Sequence, residues 1–89
     1  MVIDEHRKGV RLGDDFVPLT PTEFAIVKAL TDSNGEPRPA HWIMGRMGRL
    51  APKRSDYVRW HIFRLNRGKL DGRIKHRPGW GWSLESSPR

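Results

Sequence analysis

The run Leu19-Thr20-Pro21-Thr22-Glu23-Phe24 constrains the fold of this chain more than any other six residues in it. Thr20 is suited to accept from the first free amides of a helix. Pro21 loses nothing at the first helical position, where its missing N–H has no partner to lose. Glu23, three residues after Thr20, completes a capping box. Phe24, Val27 and Leu30 then recur on one face, with Ala25, Ile26 and Ala29 beside them. The pattern predicts a helix from Thr20 to about Thr31, stopped by Asp32-Ser33-Asn34-Gly35. Before it, Val2-Ile3, Val10-Arg11-Leu12 and Phe16-Val17 are β-prone pieces punctuated by Gly9, Gly13 and Asp14-Asp15. They predict two or three short antiparallel strands with one covered and one wet face.

Two more helices follow. Pro39 fits a first helical turn, and Trp42, Ile43, Met44 and Met47 supply an apolar face, although Gly45 and Gly48 weaken that segment. Met47 to Pro52 reads as a connection. From Lys53 to about Arg67, Val58, Ile62 and Leu65 share one face, with Arg54 and His61 at its margins. The opposite face carries Asp56, Arg59, Trp60, Phe63, Arg64 and Arg67. Two large aromatics among arginines, away from the core stripe, point to a surface that meets a partner. Gly68 is a C-cap candidate. The tail, Gly72 to Arg77 and Trp80 to Glu85 around Pro78-Gly79, predicts a β-hairpin. Ile74, Trp82 and Leu84 are expected toward the core, and Lys75 and Arg77 outward near the tip. Trp80 and Trp82, two apart on a strand, would share a face, with Trp82 packed on the core and Trp80 alternatively nearer the turn and partly exposed.

The expected fold is therefore α+β: strands, three helices and a basic hairpin in one domain over residues 1–85, with 86–89 a frayed tail. The chain has 89 residues, 36% of them hydrophobic, enough for one modest core. It contains no cysteine, so neither a disulfide framework nor a thiolate metal site is available. No apolar run approaches the roughly 18–20 residues of a membrane span, and the first eight residues lack the apolar stretch of a signal peptide. The expected setting is cytoplasmic, with the protein associated with the nucleoid.

Charge separates the chain into blocks. The formal net charge is +7, yet residues 1–37 hold 4 basic and 7 acidic side chains, whereas residues 38–77 hold 12 basic and only Asp56 and Asp71 acidic. A basic block next to an acidic one localises the surface on which a polyanion would be sought. A basic third helix followed by a basic hairpin is the plan of a winged helix-turn-helix.

The same residues resemble the OmpR/PhoB-type effector domain of bacterial response regulators. Residues 19–24 are similar to that family's opening of its first helix, His61-Ile62-Phe63-Arg64-Leu65 to its recognition-helix core, and Ile74 with Gly79-Trp80-Gly81-Trp82 to its wing strands. The likeness spans roughly Val10 to Leu84. It implies a transcription regulator whose third helix enters the major groove and whose wing reaches the adjacent minor groove. The family's phosphoacceptor receiver domain has no room in 89 residues, so either a stand-alone effector domain or a fragment is expected. Pro78 stands where the family carries a wing-tip arginine, Asp56 where it has an arginine near the start of the recognition helix, and Gly68 reads as an insertion. The sequence preference of the family does not carry over on those positions.

Chemistry assigns roles to the basic block. Arg59, Arg64 and Arg67 are the expected groove contacts, since a guanidinium can donate two hydrogen bonds to guanine. Arg64 aligns with a base-reading position of the family. Trp60 and Phe63 would meet thymine methyls or sugars, or else pack against the hairpin or a neighbouring protomer. His61 would touch a phosphate or serve packing. Lys75, His76 and Arg77 would reach the minor groove or its phosphates. Arg38, Arg46, Arg49, Lys53 and Arg54 would bind phosphates, which position a protein without reading sequence. The start of the second helix, near Arg38 and His41, offers further amides to a phosphate. The histidines lack metal spacing, and no nucleophile elbow, phosphate loop or paired carboxylates stand in the basic block. No enzyme, cofactor, metal, membrane or small-molecule substrate is expected. Double-stranded DNA is the expected partner, with RNA polymerase or a second protomer, head to tail on direct repeats, as further ones. Non-specific nucleoid-type coating and a winged-helix protein-interaction module are the other readings.

Overall fold

Thr20 and Glu23 close the capping box read from the sequence: Thr20 Oγ1 accepts from the Glu23 amide at 3.2 Å, and Glu23 Oε1 accepts from the Thr20 amide at 2.9 Å. The computed structural model describes residues 2–84. It is an α+β structure with three helices and two small antiparallel sheets. The expectations for Glu85 and for the tail at 86–89 lie outside the described residues.

Strands β1 (Val2–Asp4), β2 (Gly9–Leu12) and β3 (Asp15–Pro18) form the first sheet in that order, with Ile3 opposite Val10 and Val10 opposite Val17. Val10 is fully buried and turns this sheet's covered face to the core. Helix α1 (Pro21–Asp32) follows, then α2 (Ala40–Met47) and α3 (Ser55–Arg67). A 3-10 turn at Gly48–Leu50 occupies the connection between α2 and α3. Strands β4 (Ile74–Arg77) and β5 (Gly81–Leu84) make the second sheet, with Ile74 opposite Leu84 and His76 opposite Trp82.

Three boundaries differ from the sequence reading. Pro39 is the N-cap of α2 and not part of its first turn, and no side chain caps that end. Helix α3 begins at Ser55, two residues later than expected, with Arg54 extended before it. The hairpin turn takes in Trp80 as well as Pro78 and Gly79, so Trp80 does not share a strand face with Trp82. Gly68 does cap α3, but with φ −115 and not in a left-handed conformation. The left-handed residues come later, at Asp71 and Gly72.

One core holds these parts together. Ile26 and Leu30 of α1, Ile43 of α2, Val58 and Leu65 of α3, and Leu70 beyond α3 are all essentially inaccessible. Each contributes about 1.5–3 kcal/mol by leaving water. Helix α1 is the hub, packing on α2, α3 and β5. Among the described residues, no helix is long and apolar enough to cross a membrane.

Two devices fix the hairpin to the helices. Arg38 and Trp82 exchange both backbone hydrogen bonds at 2.8 Å, so the segment before α2 lies beside β5 as a single-residue third strand. Gly81 makes this approach possible: its φ is +119, and a Cβ there would stand 2.0 Å from the Arg38 carbonyl oxygen. At the other end, the Asn66 side chain clamps Ile74. Its Nδ2 donates to the Ile74 carbonyl at 2.7 Å, and its Oδ1 accepts from the Ile74 amide at 2.8 Å.

Candidate nucleic-acid interface

Val58, Ile62 and Leu65 bury one side of α3, and every residue on its far side is therefore turned to solvent. Tyr57 is 53% exposed, Trp60 50% and Phe63 58%, with Arg59, Arg64 and Arg67 exposed among them. The three arginines are not covered by the body of the protein, and none has a carboxylate within ion-pair distance among the described residues.

Each of these arginines rests on an aromatic ring. The Arg64 guanidinium lies 4.8 Å from the centre of Trp60, and Arg67 lies 5.5 Å from Phe63. Both pairs are four residues apart, the spacing at which side chains meet on a helix. Arg59 reaches 5.9 Å from Trp82 on the hairpin. This accounts for Trp60 and Phe63, for which the sequence left contact and packing open: they are platforms under the arginines four residues on. Such a contact is worth about 0.5–1 kcal/mol at an exposed site. Its larger effect is on order. A guanidinium lying on a ring keeps its N–H edge free, and less rotamer freedom is lost when that edge finds acceptors.

The hairpin borders this face. Arg59, Phe63, Asn66 and Arg67 of α3, with Ile74, His76 and Trp82, line a cleft of about 480 Å³ between helix and hairpin. The register divides the three hairpin residues that the sequence grouped together. His76 takes the same face as Trp82, with ring centroids 5.0 Å apart, and looks into the cleft. Lys75 and Arg77 alternate to the other face, where both are exposed. Trp82 is half-buried and packs against the core, whereas Trp80 stands at the turn. His61 is half-buried, with its ring edge-on to Trp60 at 5.0 Å.

The five expected phosphate ligands do not form one group. Arg49 and Lys53 are exposed and have no carboxylate partner among the described residues. Arg54 pairs with Asp56 at 3.1 Å, and Arg38 with Glu36 at 3.5 Å. The Arg38 guanidinium also lies over Trp42 beside the hairpin. Arg46 is held by Asp32 at 2.7 Å and lines a groove between α1 and α2, apart from the α3 arginines. Exposed pairs such as these contribute about 0–1 kcal/mol and yield readily to another anion.

Three contributors escaped the sequence reading. Tyr57 extends the stripe of Trp60 and Arg64 by one turn, and a helical projection carries that signal. Asn66 sets the position of the hairpin, but its partner is a backbone eight residues away that no local pattern reveals. Lys69 pairs with Glu23 at 2.7 Å and ties the exit of α3 to the start of α1. Burial pushes the Glu23 carboxyl up. The hydrogen bonds from Lys69 and Thr20 outweigh that and hold it below the usual carboxylate value. Among the described residues, no three acidic or histidine side chains converge as a metal would require.

Set beside known proteins, the chain matches no family model and no curated protein significantly.

Proposed function

We propose that this chain is a winged-helix domain of OmpR/PhoB type that binds double-stranded DNA sequence-specifically and regulates transcription. In this reading α3 enters the major groove, and the β4–β5 hairpin is the wing, lying over the adjacent minor groove or its backbone. One observation carries it: the outward face of α3 presents three arginines without a carboxylate partner among the described residues, each seated on an aromatic ring, beside a basic hairpin. Arg59 and Arg67 border the cleft, and Arg64 faces solvent on Trp60. Arg49 and Lys53 serve phosphates.

The aromatic seats weaken the protein-interaction reading, because they give Trp60 and Phe63 a role within the chain. The acidic N-terminal block argues against general coating of DNA. Selection of bound sequences from a random duplex pool, at about 0.15 M salt, decides among them. Specific binding enriches one motif. Arg64→Ala then relaxes choice at one base pair, at a cost of about 1–3 kcal/mol for the preferred base. Lys53→Ala instead weakens all sequences alike and lowers the salt slope by about one. A pool that stays random while binding falls steeply with salt would replace this reading with coating. A pool that is not retained at all would leave the protein-interaction module.

A further inference from the structure

Trp80 has no role in the reading above, and it is the most exposed large apolar side chain of the described residues, at 66%. The other tryptophans are all engaged: Trp42 under Arg38 and Arg46, Trp60 under Arg64, and Trp82 against His76 and Arg59. No ring or cation contact within the described residues holds the Trp80 indole. Its backbone is nonetheless fixed. The Trp80 amide donates to the Arg77 carbonyl at 2.9 Å, and Gly79, at φ +84, turns the chain between them. A bare indole on a well-formed turn adds nothing to the core and exposes apolar surface to water.

The fold also shows where the tip leads. Ile74 is clamped at Asn66 near the C-terminal end of α3, while Trp82, opposite His76, lies at Arg59, about two turns earlier on that helix. The hairpin therefore runs back along the arginine face toward the N-terminal half of α3 and carries its tip onward. At that tip Trp80 stands with exposed Pro78, and exposed Arg77 lies at their base. Arginine is drawn to the negative potential of a narrow minor groove. The indole of Trp80 carries a single donor and Pro78 none, so their surface is mainly apolar, and the interior of the base stack is the apolar part of a duplex that could bury it. Apolar side chains inserted between base pairs from the minor groove unstack the step and kink the duplex, by roughly 20–90°.

We infer that Trp80, braced by Pro78, wedges into a base step of the minor groove and bends the DNA this domain binds. The inference rests on the DNA-binding reading. A pyrimidine–purine step is its expected seat, since such steps unstack most easily.

The test uses the whole chain and a duplex of about 30 base pairs taken from the pool the wild-type protein retains. Dyes at the two ends report bending, anisotropy reports binding, and 2-aminopurine at each pyrimidine–purine step in turn reports unstacking. Wild type is expected to shorten the end-to-end distance and to brighten one step, and Trp80→Phe to keep most of both effects. Trp80→Ala should still bind, weaker by about tenfold, the scale of one lost base–aromatic stack. Its duplex should stay straight and its 2-aminopurine dark. Because Trp80 is exposed, Trp80→Ala should melt within about 2 °C of wild type, which separates a lost wedge from a lost fold. A straight duplex under wild type, or equal bending by Trp80→Ala, would overturn the wedge and leave DNA binding standing. A random pool from which the wild-type protein retains no duplex would overturn the DNA-binding reading itself.

Discussion

Replacing Asn66 by alanine removes the two hydrogen bonds at 2.7 and 2.8 Å that hold Ile74 to α3. Each contributes about 0.5–1.5 kcal/mol net, and the loss leaves an amide and a carbonyl of a buried residue without partners. Water reaching the opened edge recovers part of that, so the expected cost is about 2–3 kcal/mol. For a chain of this size, that lowers the melting temperature by roughly 10–20 °C. The effect should also be local. Hydrogen exchange should speed up first across residues 74–84, ahead of α1, because the hairpin loses its tie to α3 while the core of α1 and α2 stays intact. Asn66→Asp keeps the acceptor but sets a carboxylate against the Ile74 carbonyl, and should be no better than alanine. Circular dichroism melts with exchange by mass spectrometry measure both. Wild-type melting of Asn66→Ala, with an undisturbed hairpin, would refute the argument that this side chain positions the hairpin.

Other expectations follow from the same contacts. Gly81→Ala must fit a methyl 2.0 Å from the Arg38 carbonyl at φ +119, and should cost at least about 3 kcal/mol in urea unfolding; a midpoint equal to wild type would mean that residues 38 and 81 are not in close approach. Glu23 titrates below its ordinary value when folded, so its contribution is complete above that value and disappears as pH falls through the folded one. Glu23→Gln should therefore be less stable than wild type at neutral pH, with the gap closing in acid, and Lys69→Met should behave alike; a gap independent of pH would refute the pairing. Thr20→Ala should cost about 1 kcal/mol, the scale of a lost helix cap, read from the same unfolding curves.

How much of this was legible depended on where each signal resides. Helix α1 could be read because its start is encoded locally, in Thr20, Pro21 and Glu23. The first sheet was legible from glycine punctuation, and the outward face of α3 from periodicity alone. The start of α3 was misplaced because Arg54 extends before it without a side-chain cap, which left Pro52-Lys53 as the nearest punctuation. Pro78-Gly79 suggests a two-residue turn with Trp80 on the strand after it, whereas the turn spends a third residue. Trp60 and Arg64 stand four residues apart, a spacing that permits a contact on a helix without requiring one. Asn66, Lys69 and the Arg38–Trp82 pairing bind segments far apart in sequence, and nothing short of the folded chain brings them together.

The paired peptide groups of Arg38 and Trp82 have a mechanical consequence. A lever works only against a fulcrum. A hairpin fastened solely through its two ends would pivot about the turn at 68–73 when its tip met resistance. Here β5 is braced at mid-length by residues that lead directly into α2. Load applied at Trp80 is thus delivered to the first turn of α2 and through it to α1.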